Sequence, residues 1–187
     1  MKQHGILLLV LLAMLPGCRK SNIPRDFSFP EKQGYVNDFA GVMSREWISE
    51  TEALCGHIEE RTGVQVVVVS VQTVEPFLSA RSYANALGNE WGIGSEEKNG
   101  IVILAEMKTE EIFLACGDAY EKSFHVALDN IYLEAMKPLF EQKAYGEGYY
   151  RGTLACGQLL ARMKDVELDE FEVSDKYITE EPVGEQK

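Results

Sequence analysis

The segment Val64-Gln65-Val66-Val67-Val68-Val69-Ser70-Val71 holds six valines in eight residues. A half-exposed strand alternates apolar and polar positions, and this run does not. It therefore reads as a central strand buried on both faces, of the kind found in parallel sheets covered by helices. Ile101-Val102-Ile103-Leu104-Ala105 is a second run of the same character, entered through the turn signal Asn99-Gly100. Glu111-Ile112-Phe113-Leu114-Ala115-Cys116 follows after the polar turn at Lys108-Thr109 and closes a hairpin with it.

Helical periodicity surrounds these strands. Ser44 is a good N-cap for a helix running to about Arg61, with Trp47, Ile48, Leu54, Cys55 and Ile58 on one face and Gly63 as its stop. A second helix is expected over Leu78–Trp91, with Tyr83, Ala84, Leu87 and Trp91 inward, ended by Gly92-Ile93-Gly94. Two more are expected over Leu128–Phe140, with Pro138 near its end or at a kink, and over Glu147–Lys164, packed closely at Gly157. The order implies an α/β fold of three layers, a mixed central sheet with helices on both faces.

The chain begins with Lys2, an apolar run Ile6–Met14, and Leu15-Pro16-Gly17-Cys18. This is the pattern of a secretory signal, with an apolar run too short to span a bilayer. A cysteine directly after Leu-x-Gly resembles the bacterial lipobox. That resemblance implies cleavage before Cys18, acylation of its thiol and amine, and retention on the outer face of a membrane in the cell envelope; two or three acyl chains hold a protein stably where one does not. The alternative is an ordinary cleaved signal in which Cys18 is incidental. Four segments are expected: a signal over 1–17, a tether over 18–34, a folded domain over 35–164 and an acidic tail over 165–187. Arg19, Lys20 and Arg25 in the tether suit either anionic headgroups or plain solvation.

The formal net charge is −12. Nine carboxylates against two lysines put −7 of it in residues 165–187, which reads as a solvated end. An acidic balance of this kind excludes nucleic acid as a partner, since phosphates demand a basic face. Beyond Cys18 the cysteines are Cys55, Cys116 and Cys156. They lack metal or redox spacing and read mostly as buried thiols, with a Cys55–Cys156 bridge left open. His57 reads as a surface residue. His125 lies near Glu121 and Ser123, but no nucleophile–base–acid constellation or phosphate-cradling glycine loop is evident, so no catalytic residue is assigned.

Tyr35-Val36-Asn37-Asp38-Phe39-Ala40-Gly41-Val42-Met43-Ser44, Thr62-Gly63-Val64-Gln65 with the valine run, Trp91-Gly92-Ile93-Gly94 with Asn99-Gly100 and its strand, and Gly117 with Glu121 occur in the order seen in TPM-domain proteins. The chain resembles that family, which includes thylakoid lumen proteins of photosystem II repair, over roughly residues 35–163. The resemblance implies a single three-layer α/β domain. It also implies a groove that in some members binds a divalent cation, often calcium. A phosphatase activity has been proposed for some members, and others serve as accessories to membrane complexes.

Carried onto this chain, the cation donors are Asp38, Asn99, Asp118 and Glu121. Calcium needs several hard oxygen ligands converging at about 2.3–2.6 Å. The competing role of Asp38 and Asn99 is to shape turns. This chain departs from the family at two carboxylate positions: Lys98 stands before Asn99-Gly100, and Phe124-His125-Val126 replaces an acidic segment. A lysine beside a cation costs about 4 kcal/mol at 4 Å and an effective dielectric of 20. The expectation is a membrane-anchored lipoprotein acting as a binding or accessory module, with a weakened calcium-type site and an envelope protein partner. The alternatives are a metal-dependent phosphatase and a structural envelope lipoprotein with no ligand.

Overall fold

The computed structural model describes residues 24, 27–94 and 97–168. Cys18 with the signal segment 1–17, and residues 169–187 of the acidic tail, lie outside the described residues. Four strands form one sheet in the order β1 (Val36–Asp38), β2 (Val66–Val71), β3 (Ile101–Glu106), β4 (Glu111–Cys116). The first three are parallel and β4 is antiparallel to β3. The register Asp38↔Ser70↔Ala105 fixes an upper end, where β1–β3 finish and β4 starts. Ile101 pairs with Val66 and with Cys116, so β2 and β3 start and β4 finishes at the lower end.

The period-two alternation of a strand sorts the valine run between two cores. Val66 and Val68 join Ile101, Ile103 and Ala105 on the face covered by α1 (Arg45–Thr62), α3 (Lys122–Ile131) and α5 (Tyr145–Lys164). Val67, Val69 and Val71 join Val102 and Leu104 on the face covered by α2 (Ala80–Glu90). Burying one such side chain contributes about 1.5–3 kcal/mol, and every residue of β2 and β3 is buried. This is the mixed sheet with helices on both faces that the sequence implies.

The helix boundaries follow their caps. Ser44 accepts the Trp47 N–H, and Gly63 ends α1 in the left-handed conformation with its N–H on the Glu59 carbonyl. α2 is shorter than expected because Ser79 caps it, accepting the Ser82 N–H at 3.2 Å. Leu78 consequently lies outside the helix. α3 starts at Lys122 rather than Leu128, since Phe124 and Leu128, one turn apart, both reach the core. Pro138 does not end the helical run. A π-helical segment, Tyr132–Met136, absorbs the misfit, and Pro138 falls in the first turn of α4 (Lys137–Glu141), where a missing N–H costs least. Cys55 and Cys156 are buried free thiols.

The segment before β1 is bound to the fold in part. Phe27 and Phe29 pack against Phe77 and Tyr83 with ring centroids 5.0–5.5 Å apart, and the Trp91 indole donates to the Pro30 carbonyl at 3.0 Å. Residues 27–30 thus descend along α2 from the upper end before β1 climbs back. Among the described residues no helix is long and apolar enough to cross a membrane.

Candidate functional site

The four expected cation donors do not converge. Asp38 ends β1 at the upper end, whereas Asn99 precedes β3 at the lower end. Asn99 lies six residue steps from Ala105, the register partner of Ser70 and through it level with Asp38, which is about 20 Å of extended strand. Asp38 is engaged by the fold itself. Its carboxylate accepts the N–H groups of Val42 and Met43 at 3.1 and 2.9 Å, and the Ser70 hydroxyl donates to it. Ser70 Oγ in turn accepts the Ala40 N–H at 3.0 Å. The expectation that Asp38 joins Asn99, Asp118 and Glu121 is corrected on this ground: the three parallel strands carry the β1 exit and the β3 entry to opposite ends.

Asn99 and Asp118 do come together through their backbones. The Gly117 N–H donates to the Gly100 carbonyl at 3.0 Å, the Ala119 N–H to the Lys98 carbonyl at 3.1 Å and the Tyr120 hydroxyl to the Asn99 carbonyl at 2.6 Å. Tyr120 stacks on Phe124 with centroids 3.9 Å apart, and burial pushes its phenol pKa upward. The two loops are so close that a Cβ on Gly117 would collide with the Lys98 carbonyl. Gly94, at φ 63°, lies equally tight against the Gly100 backbone, and Ile93 is buried. Several residues of the recurring sequence segments therefore do packing work. The Asn99 side chain is buried and donates to the Glu97 carboxylate at 2.6 Å. Glu121 is the exposed N-cap residue of α3 and makes no side-chain cap bond.

Beside these loops a cleft of about 490 Å³ opens between α2 and the β3–β4 end. Asn85, Gly88 and Asn89 line it from α2, Val102 and Ala115 form part of its floor, and Lys98, Asp118 and His125 bring charge or titratable groups to it. Lys98 stands at φ 54°, a left-handed position where Asn and Asp are the commoner non-glycine residues. Cys116 Sγ lies 3.5 Å from His125 Nδ1. Burial, then the charge of Asp118, raises the Cys116 pKa from 9.0 to about 11, so the thiol is protonated at neutral pH and is a poor nucleophile. A smaller hollow of about 280 Å³ on the same end is lined by Glu59, Gln65, Glu97 and Asn99.

Sequence reasoning missed the Cys116–His125 pair and the two carboxamides of α2. The i, i+4 spacing of Asn85 and Asn89 around Gly88 was the available signal. The donors expected for calcium do not form a cage: Asp38 is remote and bonded, and Lys98 adds a positive charge to the cleft. Among the described residues no group of three His, Cys, Asp or Glu side chains is placed to hold a metal ion.

Comparison with known proteins matches residues 36–159 to the model of the TPM domain. A UPF0603 chloroplastic protein of Oryza sativa subsp. indica is 28% identical over 124 residues, which is 65% of this chain and 41% of that protein. Its Arabidopsis thaliana counterpart is 28% identical over 123 residues, 65% of this chain and 43% of that protein. The chain thus spans less than half the length of these relatives. Among solved structures, the N-terminal domain of a P. gingivalis protein superposes with a TM-score of 0.62 at 22% identity, covering 73% of this chain and 87% of that one. The BA42 protein of Bizionia argentinensis gives 0.55 at 16% identity, covering 67% and 90%. These structures share the fold, and with two thirds of its residues matched by the family model the chain belongs to the TPM domain family.

Proposed function

We propose that this chain is an envelope lipoprotein, tethered to the outer face of a bacterial membrane through Cys18, whose TPM domain binds a protein partner at its lower end. The observation that carries the reading is the character of the lower cleft. Lys98, Asp118 and His125 offer charge of both signs, and Asn85 and Asn89 offer carboxamide donors and acceptors. Such a mixture suits a polar protein surface better than a divalent cation, which wants converging oxygens without a competing ammonium. The plant relatives are chloroplastic by name.

The test is photo-crosslinking in the native envelope. A crosslinkable residue at Asn89, on the cleft, recovers a reproducible partner, and the same residue at the exposed upper-end position Thr73 does not. Recovery of no partner from Asn89, or the same partner from both positions, removes the reading. Turnover of a chromogenic phosphate ester that depends on added calcium, magnesium or manganese replaces it with the phosphatase alternative.

A further inference from the structure

We propose that the upper end of the domain, at the loop carrying Leu78, rests on the lipid bilayer and that the lower cleft therefore faces away from it. This rests on the reading of Cys18 as the lipid attachment and adds the orientation that attachment enforces.

Little chain is available between the anchor and the domain. Five residues lie between Cys18 and Pro24, six steps along the chain and a contour of at most about 20 Å. The Pro24 carbonyl accepts the Phe27 N–H at 3.2 Å, and Phe27 is fixed on Phe29 and Phe77 with centroids 5.0 and 5.4 Å away. Phe77 and Tyr83 are buried and pack with Phe29 on the α2 face. The described part of the connection, Pro24 and Phe27 onward, thus meets the domain at the upper end of α2.

Leu78 stands at that place. It follows Phe77 in sequence and is 72% exposed, the most exposed large hydrophobic side chain among the described residues. Its loop leaves the top of β2 and enters α2 through the Ser79 cap. The Ala80 N–H donates to Glu111 at 3.2 Å, which ties the loop to the start of β4. Arg81 is exposed beside it, with its guanidinium 4.4 Å from the Phe113 ring centroid, and the Glu75 carboxylate is paired with Lys108 at 2.7 Å. Arg19, Lys20 and Arg25 lie in the connecting stretch. An apolar tip with Arg81 beside it, and basic residues next to Cys18 in sequence, match the chemistry of an anionic lipid surface. With the upper end held there, Lys98 and Asp118 lie beyond a sheet about 20 Å long and are presented outward.

Deuterium exchange tests the orientation, with the acylated full chain in vesicles of one part phosphatidylglycerol to three parts phosphatidylethanolamine and the Cys18→Ser chain in solution as reference. Burying Leu78 favours the docked orientation by about ten-fold, so amides 73–79 slow by up to that factor while 117–122 are unchanged. Leu78→Glu, at an exposed position that leaves the fold intact, still floats with the vesicles but loses the protection at 73–79. Unchanged exchange at 73–79, slowing centred on 117–122, or full protection in Leu78→Glu overturns the proposal. Flotation separates the two readings: if the natural chain fails to float, or Cys18→Ser floats as well, the anchor itself fails. If only the natural chain floats and 73–79 is unprotected, the orientation alone fails.

Discussion

At the upper end of the sheet Asp38 accepts three hydrogen bonds from Val42, Met43 and Ser70, and Glu106 accepts from Thr109 in the β3–β4 turn. At the lower end the bonding between loops is made largely by backbone groups of Lys98, Asn99, Gly100, Gly117 and Ala119. The Lys98 and Asp118 side chains are left at the cleft. One end uses acidic side chains to close its own loops, and the other closes its loops with main chain and glycine. In a parallel α/β sheet the ligand crevice usually lies at the strands' carboxyl ends. Here the antiparallel β4 brings its own carboxyl end to the lower side, and the cleft of about 490 Å³ opens there.

The hardest test of that contrast is Asp38→Ala. It strands the N–H groups of Val42 and Met43 and the fully buried Ser70 hydroxyl, at a cost of about 3 kcal/mol. Urea unfolding measures it. Partner capture at the cleft persists under conditions where the variant is folded. A loss below about 1 kcal/mol, or loss of capture in the folded variant, would break the division between the ends.

A glycine pair sharpens it. Gly117→Ala forces a methyl group onto the Lys98 carbonyl, costs about 2 kcal/mol and distorts the cleft rim, so crosslinking from Asn89 falls away. Gly41→Ala, at φ 67° with open space around it, costs about 1 kcal/mol from conformation alone and leaves crosslinking unchanged. Equal effects on crosslinking would mean that the lower loops carry no special role.

Much of this fold was legible because its signals are local. The valine run, the Ser44 cap, the Gly63 stop and the Asn99-Gly100 turn each specify their own backbone, and β4 lies where the sequence put it, at Glu111–Cys116. The start of α3 is hidden in the sequence because its opening residues, Lys122, Ser123 and His125, are polar and only Phe124 and Leu128 are fully buried, with Ile131 packed partly against the core. The site was harder for a different reason. Asp38, Asn99, Asp118 and Glu121 are all acidic or amide residues in loops or at element ends, and which end of the sheet each occupies depends on strand direction. A strand's residues do not state its direction; the β1–α1–β2 crossover and the β3–β4 hairpin do. That topology sets Asp38 apart from the other three. The Cys116–His125 contact joins a strand to a helix through tertiary packing, and nine residues of spacing carry no sign of it.

The cleft's solvation can be read from its thiol. Burial and Asp118 raise Cys116 from 9.0 to about 11, so between those pH values the unfolded chain has lost a proton that the native chain keeps. Stability is independent of this group below pH 9 and falls as pH rises through 9 to 11. Cys156, raised to about 12 by burial, behaves alike deeper in the fold. Cys116→Ala therefore flattens the pH dependence of the urea midpoint by one linked proton above pH 9 and leaves it unchanged at pH 7. An unchanged slope would show a thiol exposed to water, and a cleft more open than its lining implies.

The smallest effect on stability, and the most direct on the contrast, is expected from Lys98→Asp. Lys98 is exposed and stands at φ 54°, a conformation aspartate tolerates better than lysine, so the unfolding free energy in urea changes by less than about 0.5 kcal/mol. The change in charge is the point. An ammonium at the cleft is replaced by a carboxylate near Asp118, which favours a divalent cation by about ten-fold or more. Calorimetric titration with calcium then gives measurable heat for Lys98→Asp and little for the natural chain. If the natural chain binds calcium as tightly as the variant, Lys98 is not what keeps the lower end from acting as a cation site, and the cleft's mixed charge loses its place in the argument for a protein partner.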